Sequence, residues 1–229
     1  MAVNIPEIIF ITLRSALAFV VPPIVGMALF VVCLPLGRRR ATNLGIAVVT
    51  RLGLGLAGID LQVDGEISRL RQRPAIFVIN HQSGTDPIIA ASLVRRDMVA
   101  IGKYELQFHP LLGPLMKMFG TVFVKREQGV GPQVLAPLLP ALASGDAVVL
   151  APEGKRSRDG QLQPFKPGAL WLAQQSGAPL IPIVLHNSGE ILPAKGLLMK
   201  SGTVRITVLP PQSATLTTEE LRQVFADAL

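Results

Sequence analysis

Two side chains in the segment Asn80-His81-Gln82-Ser83-Gly84-Thr85-Asp86 have the types and spacing for proton transfer. His81 and Asp86 stand five positions apart across a Ser- and Gly-containing turn, and such a turn can fold the carboxylate back onto one imidazole nitrogen. The other nitrogen is then free to take a proton from a substrate hydroxyl. This is the orienter and base of a triad without an adjacent serine or cysteine nucleophile. It suits direct attack by an alcohol on an activated acyl group. Taken alone, the pair fits better a histidine that satisfies a loop and an aspartate that caps a helix, so the weight falls on what accompanies it.

Two further segments put cations at the ends of apolar runs. Gly120-Thr121-Val122-Phe123-Val124 ends in Lys125-Arg126, and Ala147-Val148-Val149-Leu150 leads into Ala151-Pro152-Glu153-Gly154-Lys155-Arg156-Ser157. In α/β folds ligand-binding groups collect at strand ends. Arginine binds phosphate through a planar fork and lysine adds a point charge. Each cluster alone reads as a solvated rim. Three in order, one with His and Asp and two with Arg, form a pattern.

That order resembles the 1-acyl-sn-glycerol-3-phosphate acyltransferase family, the glycerolipid acyltransferases with an NHxxxxD motif. Asn80 to Asp86 match the first motif and Gly120 to Arg126 the second. Pro152, Glu153, Gly154, Arg156 and Ser157 match the third, and Ala178-Pro179-Leu180-Ile181-Pro182-Ile183-Val184 the fourth. Lys103-Tyr104-Glu105-Leu106, with Pro110 and Gly113 beyond, resembles the stretch before the second motif. The likeness runs from about Gly65 to about Pro210. Ala151 replaces a usual Phe, Lys155 a usual Thr, and Lys125 a commonly acidic residue. The two lysines make the acceptor site more basic and favour an anionic acceptor.

The resemblance implies transfer of a fatty acyl group from acyl-CoA or acyl carrier protein to the free hydroxyl of lysophosphatidic acid, giving phosphatidic acid. Its implied base is His81, oriented by Asp86. Arg126 and Arg156, with Lys125 and Lys155, would bind the acceptor phosphate. Asn80, Glu153, Gly154, Ser157 and Lys103 would support the site. Glu153 is expected to fix its own loop, through an arginine or backbone amides, rather than react. Amides near Gly154 or in the His81 loop are candidates for an oxyanion hole. No metal or redox cofactor is implied. Glycerol 3-phosphate or another lyso-lipid is the alternative acceptor. Thioester hydrolysis and non-enzymatic lipid binding are the remaining readings.

Hydrophobic residues make up 49% of the 229, and the excess is concentrated near the N-terminus. Ser15 to Gly37 is a 23-residue stretch with no charge, preceded by Arg14 and ended by Arg38-Arg39-Arg40. It meets the length of a spanning helix, about 20 residues. Pro22-Pro23 argues against one straight helix. Two arrangements follow: a kinked span with the arginines on the cytoplasmic side, or a helical hairpin of roughly Ile5–Val21 and Ile24–Leu36 dipping into one leaflet. The resemblance adds that a two-helix membrane-docking element can precede this catalytic fold. With only Arg14 ahead of the apolar stretch and no small-residue cleavage site, a signal peptide is disfavoured.

The net charge is +7, and from Arg38 to Arg73 there are seven arginines against Asp60, Asp64 and Glu66. Beside an apolar element, such a belt favours anionic membrane lipid. One Tyr, one Trp and no long basic tract weigh against nucleic acid. Cys33 is the single cysteine, so no intramolecular disulfide forms.

The elements that must position these residues alternate. Strands are predicted at Leu61–Gly65, Ala75–Asn80, Met98–Gly102, Thr121–Lys125, Ala147–Ala151, Leu180–Leu185 and Val204–Leu209. Helices are predicted at Thr42–Leu56, Pro87–Val94, Leu111–Phe119, Gln133–Ala143 and Ala169–Ser176. Thr217-x-x-Glu220 is a capping box for a last helix. This alternation points to an α/β class with a largely parallel sheet flanked by helices. Leu111–Phe119 is a candidate wall for an acyl tunnel or a plain core helix. His109 reads as a surface-loop residue and His186 as strand-end packing. Residues 1–58 are expected to be anchoring and interfacial helices, and 59–229 the acyltransferase domain. The expected location is a bacterial inner membrane with the catalytic domain on the cytoplasmic face. The chain ends at Leu229 inside the last helix, which fits a trimmed chain or part of a longer fusion.

Overall fold

A computed structural model describes residues 5–125, 131–157 and 159–229. Strands β1 (Ile59–Gly65), β2 (Ala75–Ile79), β3 (Met98–Lys103), β4 (Val122–Val124), β5 (Ala147–Leu150), β6 (Leu180–Leu185) and β7 (Gly202–Val208) form one sheet. Its order is β1-β7-β6-β2-β5-β3-β4. All pairings are parallel except β6 with β7, so the sheet is largely parallel as the alternation predicts.

The helices are α1 (Ile5–Cys33), α2 (Arg38–Ala57), α3 (Asp86–Val94), α4 (Leu112–Met118), α5 (Pro132–Leu135), α6 (Leu139–Ala143), α7 (Gly168–Ser176), α8 (Ser188–Ile191) and α9 (Thr218–Ala228). The predicted helix over Gln133–Ala143 is broken: a 3₁₀ turn at Ala136–Leu138 separates α5 from α6. Pro137 and Pro140 lie in that stretch and each removes a helical donor.

β2, β5 and β6 are buried along their whole length, as near-continuous apolar runs in a doubly covered parallel sheet should be. Successive side chains point to opposite faces. Ile76, Val78, Val148 and Leu150 face Leu172, Leu221 and Phe225 of α7 and α9. Phe77, Ile79 and Val149 face Ile46 and Leu54 of α2 and Ile89 of α3. Phe77 is fully buried, so its truncation to alanine should cost about 3–5 kcal/mol. The outer strands β1 and β7 are each buried on one side only. The predicted capping box closes α9: Glu220 N–H donates to Thr217 Oγ1 at 3.2 Å, and Thr217 N–H to Glu220 Oε2 at 2.7 Å.

The N-terminal arrangement corrects the expected hairpin. α1 runs unbroken through Pro22 and Pro23, and the turn comes later, at Gly37 with φ +98°. The hairpin is therefore α1 against α2. Glycine is what allows that turn, because a side chain there would be strained. Close approach of the helices explains how the prolines are carried. Gly26 faces Val49, and the Pro22 ring lies over Gly53, so neighbouring side chains support the run. α2 packs on α3, with Ile88 against Gly53. α4 packs into the same layer: Leu115 reaches Gly26, Phe119 reaches Gly45 and Met116 reaches Gly102 of β3. These contacts seat the hairpin on α4. Pro6–Leu36 is long and apolar enough to cross a membrane, and Ile9, Phe10, Leu13 and Leu17 on it are exposed. The length, composition and exposed apolar residues of α1 suit association with a membrane.

Candidate active site

β2, β3 and β5 are parallel, with Val78 opposite Leu150 and Ala100 opposite Val149. The loops that follow them leave the same end of the sheet. His81 comes two residues after β2 and Glu153 three residues after β5. Asn80 fixes the exit from β2. Its amide donates to Leu185 O at 2.8 Å and its Oδ1 accepts Leu185 N–H at 2.7 Å. The fully buried side chain thus extends the β2–β6 ladder by one rung.

The turn then brings His81 and Asp86 together. His81 Nδ1 lies 2.8 Å from Asp86 Oδ2. An ionised carboxylate only accepts, so Nδ1 carries the proton and Nε2 is left as the acceptor. Oδ2 also accepts the amides of Gln82 and Ser83, each at 2.7 Å. Three donors on one oxygen fix the carboxylate, which is fully buried as the first residue of α3. Asp86 Oδ1 has no hydrogen-bond partner among the described residues. The His81 side chain is 13% exposed, so the ring edge reaches the surface. Ser83 Oγ donates to Leu192 O at 2.8 Å and pins the turn to the segment after α8.

The loop after β5 holds His81 by its backbone. Glu153 Oε1 accepts the His81 N–H at 2.7 Å, and Ser157 N–H donates to His81 O at 2.7 Å. Glu153 Oε2 accepts Gln163 N–H at 3.0 Å. Burial pushes the Glu153 carboxyl above its ordinary range, against the opposing pull of those two amide donors. The glutamate's partners are backbone amides, one in its own loop and one beyond it. Gly154 N–H turns inward to Ala151 O at 3.1 Å, which removes that amide as an oxyanion donor. Gly154 has φ +70°, and a Cβ there would meet the Lys166 side chain at 3.2 Å. Lys166 is the cation that the sequence reading missed. Its backbone N–H donates to Pro152 O at 2.9 Å, which brings it onto the loop.

The predicted phosphate ligands fall on two sides. Arg156 and Lys155 are exposed on the third-motif loop. A Cβ at Gly84 would lie 3.4 Å from the Arg156 guanidinium, so Arg156 sits against the His81–Asp86 turn. Lys103 and Lys125 end the neighbouring strands β3 and β4, where Lys103 pairs with Val124. Lys103 Nζ lies 3.4 Å from Glu105, and Lys125 Nζ lies 4.8 Å from the centre of the Tyr104 ring. Arg126, expected to bind phosphate, lies outside the described residues.

His109 is an exposed loop residue whose Nδ1 accepts the amides of Leu111 and Leu112. His186, at the end of β6, bonds Thr207 Oγ1 at 2.8 Å. Both fit their predicted places. A cleft of about 560 Å³ opens behind the turn, between Gln82, Ser157, His186, Asn187 and Arg222.

The model of the Acyltransferase family matches residues 60–186, more than half of the chain. The chain belongs to the acyltransferase family. This acyltransferase is 34% identical to a chloroplastic 1-acyl-sn-glycerol-3-phosphate acyltransferase of Brassica napus, over 68% of the chain and 46% of that protein. It is 30% identical to the 1-acyl-sn-glycerol-3-phosphate acyltransferase of Saccharomyces cerevisiae, over 75% of the chain and 58% of that protein. It is 31% identical to the human 1-acyl-sn-glycerol-3-phosphate acyltransferase alpha, over 81% of the chain and 69% of that protein. The chain spans about half the length of the first two relatives. Its fold is that of the crystal structure of the 1-acyl-sn-glycerophosphate acyltransferase PlsC from Thermotoga maritima. The TM-score is 0.80 at 23% identity, covering 96% of this acyltransferase and 92% of that chain.

Proposed function

We propose that this acyltransferase moves a fatty acyl group from an acyl thioester to the free hydroxyl of lysophosphatidic acid, giving phosphatidic acid. The observation that carries the proposal is the 2.8 Å contact between His81 Nδ1 and Asp86 Oδ2, which leaves Nε2 as a base at a strand end with Arg156 against the same turn. The relatives' names support the acceptor.

His81 Nε2 takes the hydroxyl proton as the acceptor oxygen bonds to the thioester carbonyl carbon. The C–S bond then breaks, and the leaving thiolate receives that proton from the imidazolium. Asp86 holds the ring in the right tautomer and balances its positive charge. Such base catalysis contributes about 10²–10⁴-fold. Arg156, Lys155, Lys125 and Arg126 supply cations for the acceptor phosphate, with Lys103 in support. Asn80, Glu153, Gly154 and Ser157 hold the two loops in register. Coenzyme A or acyl carrier protein carries the acyl group, and the reaction as written consumes only donor and acceptor.

Residues 1–58 serve as the membrane element and 59–229 as the catalytic domain. Arg38, Arg39 and Arg40, just beyond the apolar helix, favour a cytoplasmic orientation at a bacterial inner membrane.

The test offers purified enzyme a long-chain acyl thioester with lysophosphatidic acid, glycerol 3-phosphate or monoacylglycerol in parallel. Phosphatidic acid as the dominant product supports the proposal. Preferred acylation of glycerol 3-phosphate would keep the chemistry and overturn the acceptor. Equal use of monoacylglycerol would remove the role of the cations.

A further inference from the structure

The segment Pro193-Ala194-Lys195-Gly196-Leu197-Leu198-Met199-Lys200 links the catalytic turn to the membrane helix, and the reaction chemistry makes no use of it. It is a closed loop: Gly196 N–H donates to Pro193 O at 2.8 Å, and Lys200 N–H to Ile191 O at 2.9 Å. Just before it, Leu192 O accepts Ser83 Oγ at 2.8 Å, and the Leu192 side chain faces Gly84 of the His81–Asp86 turn. At its far end Met199 is buried and grips α1. Met199 N–H donates to Ser15 Oγ at 2.8 Å, and Arg14 Nη2 donates to Met199 O. Both ends are fixed, yet the tip is not packed. Leu197 is 79% exposed and Leu198 is 45% exposed.

Two adjacent exposed leucines on a tethered loop need a reason, since single exposed apolar residues are ordinary but contiguous ones mark contact surfaces. The company of these two decides what they contact. The exposed Phe10, Leu13 and Leu17 of α1 flank Arg14 and Ser15, the residues that bind Met199. Met199 thus ties the leucine tip to the stretch of α1 that carries these exposed apolar residues. Lys195 and Lys200 bracket the tip, both exposed, and the segment has no acidic residue. Apolar residues between lysines suit the headgroup boundary of an anionic leaflet, where the apolar groups insert and the cations meet lipid phosphates.

We propose that Pro193–Lys200 is a second membrane-contact loop, with Leu197 and Leu198 inserted into the same anionic leaflet that α1 contacts. The proposal rests on α1 being membrane-associated and adds a point of attachment on the catalytic side. Two points fix an orientation that one helix does not. Because Leu192 is bonded to Ser83, seating the loop also holds the His81–Asp86 turn at the lipid surface, where a lysolipid acceptor resides.

The test places an environment-sensitive fluorophore at L198C or, separately, at L13C on α1, each in the 229-residue chain carrying C33S. Vesicles contain phosphatidylcholine with phosphatidylglycerol and a shallow spin-labelled lipid. The expected result is a blue shift and quenching at both positions, weaker at position 198 on phosphatidylcholine alone. K195Q/K200Q should weaken binding to the anionic vesicles by roughly tenfold or more. L197S/L198S should weaken it by about tenfold, with acyl transfer to detergent-dispersed acceptor unchanged. Quenching at position 13 without quenching at 198 overturns the loop proposal and leaves α1 as the attachment. Quenching at neither overturns both. A response at 198 to soluble acyl carrier protein in place of vesicles would assign the loop to a protein partner and also overturn the proposal.

Discussion

The Glu153 carboxylate accepts the backbone N–H of His81 at 2.7 Å, 72 residues away in sequence. The sequence points to the third-motif loop for its cations, yet here the acid of that loop acts on the backbone of the first motif. Ser157 N–H closes the other side of the same residue by donating to His81 O. His81 is therefore positioned three times: its ring by Asp86, its backbone N–H by Glu153 and its backbone carbonyl by Ser157. Preorganisation of this kind is what holds a base within the tolerance that proton transfer requires.

Glu153→Gln tests that positioning. The glutamine keeps one carbonyl acceptor and turns its amide toward the second N–H donor. An unpaired buried donor costs about 1–3 kcal/mol, so the melting temperature should fall. The rate constant kcat should fall by about tenfold or more, and an unchanged kcat would remove this positioning role.

Asp86→Asn tests the orienting carboxylate. The Asn oxygen can still accept the Gln82 and Ser83 amides, so the turn should fold, as circular dichroism would check. Without the negative charge the imidazolium that forms in transfer is not balanced. The expected loss in kcat is about 10²-fold or more, with KM for the acceptor little changed. An unchanged kcat would remove Asp86 from the mechanism.

Much of this was legible before the structure. Apolar runs such as Ala75–Ile79 and Leu180–Leu185 read as buried strands because both faces of the sheet are covered, and His81 and Asp86 meet as their spacing predicts. Long-range placement was not legible. Lys166 is in no motif and reaches the site only because its amide bonds Pro152. The adjacency of Lys103 and Lys125 depends on β3 pairing with β4, a choice of neighbour that local sequence does not encode. The hairpin was misplaced because Pro22-Pro23 looked like a break. Support from α2 let the helix continue, and Gly37 supplied the turn.

Arg156 lies against the His81–Asp86 turn and should serve the acceptor phosphate. Arg156→Ala should raise KM for lysophosphatidic acid by about tenfold or more, since charge-assisted hydrogen bonds contribute roughly 1.5–3 kcal/mol. Arg156→Lys should restore part of the loss by keeping charge without the fork. KM for monoacylglycerol should not move in either variant. Equal effects on both acceptors would make Arg156 structural.

Asp97 joins the hairpin to the sheet and sets a pH dependence. Arg39 Nε donates to Asp97 Oδ1 at 2.6 Å, and Asn43 Nδ2 at 2.9 Å. The bond from Arg39 leads in holding this carboxyl below the usual carboxylate range, with Asn43 and the nearby positive charges assisting and burial opposing. A depressed folded-state value means stability that is present above the unfolded value and is lost as pH falls through the folded one. The melting temperature should therefore drop on acidification below the ordinary aspartate range. Asp97→Asn should flatten that part of the profile and tolerates the residue's φ of +50°. An unchanged profile would assign acid sensitivity elsewhere.

The most direct measurement is the rate of phosphatidic acid formation by purified wild type and His81→Ala, from a long-chain acyl thioester with and without lysophosphatidic acid. Wild type should form phosphatidic acid and consume thioester only when acceptor is present. The folded variant should be slower by about 10²-fold or more. A variant as fast as wild type, or thioester consumption that ignores the acceptor, would contradict the account.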